Sequence, residues 1–320
     1  MTLAGIALVQ AIIYLLFIRA IDLYEREPLR YIIPVFVWGF TVAVVISIFF
    51  EAIFAVAVSV VVGAEGVDFL TTVVAAPVIE ECAKGLALLI VFAVSYLFAR
   101  RRGRLQFSGV MDGIVYGSAV GFGFSLAEDY LYLLQFGEEV FVIRRLFGGF
   151  AHAAFTSLIG IGFGLVPWVR PLSLKLALPL AGLAGAVALH AAFNFTAFFF
   201  GPLAYVLQAV VILLYVVLIT VWLAVERRTI REELREEVDL GTITAAEYGI
   251  LPTYFRRTLY YLRLILTGEL GTWSRARRVH GAAVDLAFTK RLSRSSRAAP
   301  GESSVRHLRQ RIGELRGEAV

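Results

Sequence analysis

The chain reads as an all-α membrane protein: a polytopic bundle of about seven spans over residues 1–225, then a basic, helical, cytoplasmic tail over residues 226–320. Three observations predict this. Hydrophobic residues make up 59% of the 320 and charged residues 17%, against ~45–50% and ~25% in a soluble domain, whose surface must face water. Apolar runs of about 18 residues or more, long enough to cross a bilayer, recur up to residue 225 and then stop. Charge divides at the same place: residues 1–225 hold 12 of the 30 Lys and Arg and 13 of the 25 Asp and Glu, so the basic excess lies in the remainder. Soluble enzymes, disordered tails and simple nucleic-acid binders are excluded. With one cysteine, Cys82, no intrachain disulfide can form. A basic segment beside lipid is drawn to anionic headgroups, so membrane lipids are expected partners and nucleic acid is not.

The spanning runs are 2–18, 31–62, 68–99, 107–136, 146–167, 176–200 and 203–225. The first lacks a basic leader and a small-residue cleavage site, and reads as a retained helix. The second and third exceed what ~30 Å of hydrocarbon requires, with Glu51 and Pro77 as the expected break points. Basic residues collect in alternate connections: Arg19, Arg26 and Arg30; Arg100, Arg101, Arg102 and Arg104; Arg170 and Lys175. By the positive-inside rule these face the cytoplasm, with the N-terminus outside. In the tail, 226–238 (ERRTIREELREEV) continues the last helix with i,i+4 charge pairs. The segment 254–266 (YFRRTLYYLRLIL) mixes Arg with aromatics as an interfacial helix does. A linker at 293–304 precedes a short polar helix. Gly121-Phe122-Gly123 lies inside a span, where glycine serves helix packing rather than phosphate binding.

An ionised side chain at the bilayer centre costs about 2.5–3.5 kcal/mol on insertion scales. The spans nonetheless hold Glu51, Glu80, Glu81, Lys84, Asp112, Glu128, Asp129, His152 and His190. These residues must face the bundle interior or a watered cavity, and function is sought there. In 80–84 (EECAK), Glu80 and Lys84 share a face while Glu81 points about 100° away, so Lys84 is expected to pair with one carboxylate and leave the other to project elsewhere. His190 and Asn194 are one turn apart in HAAFN. Counting ~1.5 Å per residue along antiparallel helices brings Glu80, Glu128, His152, His190 and Asn194 into one layer in the outer half of the bilayer.

EECAK, FSLAE, the isolated His152 and HAAFN, in this order on successive spans, resemble the PrsW family of intramembrane proteases, which shares a superfamily with the CAAX prenyl endopeptidases. Its usual motifs are Glu-Glu-x-x-Lys, Phe-x-x-x-Glu, a single His and His-x-x-x-Asn. DLYEREPLR (22–30) and DGIVYG (112–117) are also similar to the family, and the likeness covers about residues 1–225. One position departs: Asp129 follows Glu128, where the family typically has Asn. The resemblance implies hydrolysis of a peptide bond in a single-span membrane-protein substrate near the outer leaflet, as in site-one cleavage of an anti-sigma factor.

Peptide hydrolysis needs an activated water, a stabilised oxyanion and a proton for the leaving amine. The expected roles are Glu81 as general base, Glu80 and Lys84 setting the local charge, Glu128 and His152 assisting, and His190 with Asn194 steadying the oxyanion. A second scheme makes His152, His190 and Glu81 ligands of Zn2+; no HExxH is present, and spacing leaves both schemes open. Cys82 points away from Glu81 and has no evident base. The alternatives are a non-catalytic membrane scaffold of the same fold and a proton- or cation-coupled transporter, although no internal repeat supports the latter.

Overall fold

A computed structural model describes residues 3–102, 107–136, 138–295 and 302–317. Arg104 and residues 296–301 of the expected linker lie outside the described residues, as do the side chains of Arg100, Arg101, Arg102, Arg144 and Arg145. Every described element is helical. In chain order these are α1 (Leu3–Ile21), α2 (Leu29–Trp38), α3 (Val44–Ser59), α4 (Ala64–Phe69), α5 (Ala76–Arg102), α6 (Val110–Phe136), α7 (Glu138–Leu165), α8 (Leu172–Phe200) and α9 (Ala204–Asp239). The tail adds α10 (Ala245–Ile250), α11 (Tyr254–Leu266), α12 (Leu270–Ser295) and α13 (Glu302–Arg316).

Among the described residues, four stretches are long and apolar enough to cross a membrane: Leu29–Ser59, Val110–Gln135, Gly148–Trp168 and Leu172–Asp239; Gly5–Ile21 is a shorter apolar helix. The last stretch contains a turn at Gly201, whose φ of 52° suits a residue without a side chain and separates α8 from α9. The second apolar run does not break at Glu51. Helix α3 continues through that residue, because the carboxyl faces a polar cavity and the backbone has no need to open. The irregularity falls earlier, in a π-helical segment at Gly39–Ala43. In the third run a π-helical segment at Leu70–Ala75 immediately precedes Pro77. Proline supplies no N–H and crowds the carbonyl four residues back, so the hydrogen-bond ladder changes register just before it.

Helix α6 is the centre of the bundle and is buried continuously from Val110 to Leu126. Glycine makes this possible. A methyl at Gly113 would overlap the Gly160 carbonyl, one at Gly117 would meet the Ser157 backbone, and one at Gly121 would lie 2.5 Å from the His152 carbonyl oxygen. The spacing of four puts these glycines on one face of α6, and α7 packs against it backbone to backbone. On the side toward α2, Gly123 abuts the Phe36 carbonyl. The large apolar side chains of the outer helices face outward, as Val45, Phe49, Val56, Leu180, Leu213 and Leu214 do.

A second apolar core lies beyond the bundle, where Ile230 and Leu234 of α9 meet Val279, Ala283 and Leu286 of α12 and Ile312 of α13. The α1–α2 connection contributes Tyr24, whose hydroxyl donates to the Pro252 carbonyl at 2.9 Å. Around this core, the fully buried Glu237 accepts from Arg309 at 2.9 and 2.7 Å and from Lys290. Thr244 and Glu247 form a reciprocal capping box at the start of α10.

Candidate active site

Six of the seven residues singled out from sequence converge. Glu80, Glu81 and Lys84 come from α5, Glu128 from α6, His152 from α7 and His190 from α8. Lys84 Nζ donates to Glu80 Oε2 at 3.0 Å and to Glu81 Oε1 at 2.9 Å, and lies 3.1 Å from His152 Nδ1. The expectation that Lys84 holds a single carboxylate is therefore corrected. Residues three and four positions back lie about 60° to one side and about 40° to the other, so one long side chain reaches both. The ammonium also sits 3.7 Å from the Phe124 ring centroid, a cation–π contact one turn before Glu128.

Glu81 does not project elsewhere. Its side chain is fully enclosed: Oε1 faces His190 Nδ1 at 3.1 Å as well as Lys84, and Oε2 accepts from the Thr156 hydroxyl at 3.1 Å. Glu80 is the carboxylate turned toward open space, with His190 Nε2 3.9 Å from its Oε2. His152 Nε2 lies 2.7 Å from Glu128 Oε2, at ion-pair distance. The two imidazoles meet edge to face with centroids 5.1 Å apart, and Phe155 stacks on His190.

These groups open onto a cavity of about 750 Å³ walled by α3, α5, α6, α7, α8 and the start of α9; Glu51, Glu80, Glu128, His152, His190 and Asn194 line it. Glu81 and Lys84 lie behind that wall. Asn194 shares the cavity without joining the cluster, and its amide donates to the Thr72 carbonyl at 2.9 Å, fastening the π-helical segment to α8. Asp129 turns away: it is fully buried, and Gln10 of α1 donates to its Oδ2 at 2.8 Å. The departure from the family motif therefore faces α1 and not the cavity. Asp112 caps α6, accepting from the Ser108 and Gly109 amides at 2.8 and 2.9 Å. Cys82 is exposed and does not line the cavity.

Sequence reasoning missed Thr156 and left Glu51 without a role. Thr156 stands four residues after His152, and this shared face was the available signal. Glu51 was conspicuous as a carboxyl in an apolar run, but its distance in sequence from the motifs hid the shared cavity.

Glu80, Glu81, His152 and His190 each offer a ligand atom, and the four atoms lie within 4.8 Å of one another. Two imidazoles with carboxylates are a donor set suited to a divalent transition metal. The carboxylate of Glu81 behind His190 Nδ1 is the arrangement that leaves Nε2 free to ligate. The residues present thus fit a metal ion.

A buried array of carboxylates, imidazoles and an ammonium beside a cavity within apolar helices defines a membrane-embedded site built for proton transfer, metal binding or both. Residues 27–223, more than half of the chain, match the model of the PrsW family of intramembrane metalloproteases, and the chain belongs to that family. It is 32% identical over 161 residues to Protease PrsW of Geobacillus kaustophilus, covering 50% of this chain and 64% of that protein. Protease PrsW of Shouchella clausii is 30% identical over 128 residues, covering 40% and 57%. The corresponding protein of Oceanobacillus iheyensis is 29% identical over 117 residues, covering 35% and 51%. The chain thus spans between about half and 64% of the curated relatives it matches. No solved structure matches it.

Proposed function

We propose that the chain is an intramembrane endopeptidase that hydrolyses a peptide bond of a single-span membrane protein, in the manner of site-one cleavage of an anti-sigma factor. The observation that carries this reading is the convergence of Glu80, Glu128, His152 and His190, from four helices, on one cavity inside the bundle. The proposed topology has seven spans, an external N-terminus and a cytoplasmic tail, with the cavity nearer the outer leaflet, as the distribution of basic connections favours.

Glu80 is the proposed base, in place of the Glu81 expected from sequence, because Glu80 borders the cavity while both oxygens of Glu81 are already engaged. It takes a proton from water as that water attacks the scissile carbonyl. Lys84 offsets the charge of both carboxylates. His152, held through Nδ1 by Lys84, presents its Nε2–H toward Glu128 and the cavity and steadies the departing amine by a hydrogen bond, while the protonated Glu80 passes the proton it took from water to that amine. Glu81 orients His190, and Asn194 holds the π-helical segment that forms one wall. A metal ion, with Zn2+ the leading candidate, would be held by His190 and Glu80. When bound, it would polarise the scissile carbonyl and acidify water.

The test is reconstitution of the purified chain in vesicles with a single-span substrate and analysis of the products by mass spectrometry. Cleavage by the native chain, absent in Glu80→Gln and His152→Ala proteins of equal stability, is the expected result. A substrate that co-purifies uncut would establish a scaffold instead. Activity that survives 1,10-phenanthroline in a preparation free of metal would remove the ion from the scheme.

A further inference from the structure

A second cavity, of about 460 Å³, lies between the α1–α2 connection and the tail and shares no lining residue with the cavity of the carboxylate–histidine cluster. Arg26, Arg257 and Arg277 line it, together with Tyr24, Tyr261 and Trp273. Arg257 is only 7% exposed, and one of its guanidinium nitrogens donates to the Leu23 carbonyl. Its other neighbours are the rings of Tyr24 and Tyr254, at 5.5 and 5.9 Å. Arg26 donates to the Tyr254 hydroxyl at 3.3 Å, and Arg277 lies over the Trp273 ring at 4.9 Å. None of the three forms an ion pair with a described residue. Arg26 and Arg277 are exposed to solvent, but the guanidinium of Arg257 is shut away from water without an anion, which is costly, of the order of several kcal/mol, so the cavity has an unmet need for negative charge at Arg257. The carboxylates of Glu25 and Asp285 also line it, which leaves one positive charge in excess.

Helix α11 supplies the second, independent observation. Its inner face carries Arg257, Tyr261 and Leu264, while Phe255, Leu259, Leu262 and Leu266 form an outward stripe at i, i+4, i+7 and i+11, exposed by 70, 48, 47 and 77%. Arg256 and Arg263, both exposed, flank this stripe. An apolar stripe bordered by arginine on a helix next to spanning segments is the pattern of a helix lying in the headgroup layer. The α1–α2 connection that closes the cavity begins one residue beyond Ile21, where the apolar helix α1 ends. Cavity and stripe therefore belong to one level.

We propose that this cavity binds the phosphodiester of an anionic glycerophospholipid, with the guanidiniums of Arg26, Arg257 and Arg277 on the phosphate and the acyl chains along the apolar stripe of α11. Guanidinium forks match phosphate oxygens, and the single negative charge of a phosphodiester balances the excess. The tail is thereby anchored to the leaflet beside it.

The experiment titrates the full-length chain in neutral detergent with dihexanoyl-phosphatidylglycerol, dihexanoyl-phosphatidylcholine and sn-glycerol 1-phosphate, following tryptophan fluorescence and lipid retention by native mass spectrometry. Phosphatidylglycerol should bind at least about tenfold more tightly than phosphatidylcholine, a difference of about 1.4 kcal/mol. The Arg26→Gln/Arg277→Gln protein should lose that preference, as should Arg257→Gln if it folds; Arg228→Gln, at an exposed position paired with Glu232, should keep it. Equal affinity for the two lipids, or an unchanged preference in a folded Arg26→Gln/Arg277→Gln protein, would overturn the proposal. Binding of glycerol phosphate as tight as that of phosphatidylglycerol would overturn the lipid assignment in favour of a soluble phosphate ester.

Discussion

Lys84 Nζ and His152 Nδ1 lie 3.1 Å apart, and this contact fixes the chemistry of the imidazole. An ammonium carries three donors and no acceptor, so Nδ1 must accept, and the neutral ring keeps its proton on Nε2, facing Glu128. A lysine fully enclosed among two carboxylates and an imidazole thus does more than neutralise charge; it selects the tautomer.

Replacing Lys84 by Met should therefore remove two effects at once. Glu80 and Glu81 lose their shared cation, a change that costs about 3–5 kcal/mol when one partner of a buried pair is deleted. His152 is freed to take either tautomer, and turnover should fall by at least about a hundredfold. Thermal unfolding of the purified protein measures the first and cleavage of a reconstituted substrate the second. A Lys84→Met protein of native stability and native turnover would deny Lys84 both roles.

The two adjacent glutamates should separate by experiment. Glu80 borders the cavity, whereas Glu81 is enclosed by Lys84, His190 and Thr156. Glu80→Gln is expected to lower kcat by about 10²–10⁴ with little change in Tm, as loss of a general base does. Glu81→Gln removes a charge from three partners and should lower Tm as well as activity. If Glu81→Gln unfolds like the native chain yet is inert, while Glu80→Gln turns over, the two assignments are reversed.

How far the sequence was legible follows from what each feature depends on. The helices were readable because hydrophobicity along the chain is a local property: the apolar runs of the bundle and the segment 254–266 are all helical. The polar residues Glu80, Glu128, His152 and His190 were readable because a titratable side chain in an apolar run needs partners from other helices. Rotation about each helix axis was not readable. Lys84 straddling both glutamates, Asp129 turning to Gln10 and Thr156 reaching Glu81 all depend on which helix stands beside which face. That arrangement is set by the backbone contacts of α6 and α7: Gly121 and Gly123 were recognised as packing residues without revealing which partner they meet, and Gly113, Gly117 and Gly160 were not singled out.

Those glycines carry their own prediction. A methyl at Gly121 would lie 2.5 Å from the His152 carbonyl oxygen. Helix α7 must then shift outward, taking His152 away from Lys84 and Glu128. Gly121→Ala should cost about 1–3 kcal/mol, the usual penalty of overpacking, and should reduce turnover by more than the stability loss explains. Gly249→Ala, at an exposed tail position with open space around the added methyl, is the control, and should match the native chain in both measurements. Equal behaviour of the two variants would show that α6 and α7 are not in close backbone contact.

The tail should respond to acid through His280. Its Nδ1 lies 2.9 Å from the Tyr261 hydroxyl, and burial pushes the imidazole down to about 4, against the partial opposing pull of Glu247. The folded tail therefore holds His280 neutral at pH values where an unfolded chain, with its pKa near 6.5, has already taken up a proton. Stability is complete above about pH 6.5, declines as the pH falls, and stops declining below about pH 4, for a total of about 3 kcal/mol from this one group. Hydrogen exchange of the α12 amides, followed from pH 7 to pH 4 after correction for intrinsic rates, should show local opening that becomes steadily easier. A His280→Phe protein should lose most of that slope while keeping the protection seen at pH 7, because the ring still fills its place beside Tyr260 and Tyr261. An unchanged slope in this variant would assign the acid response to carboxylates of the tail instead.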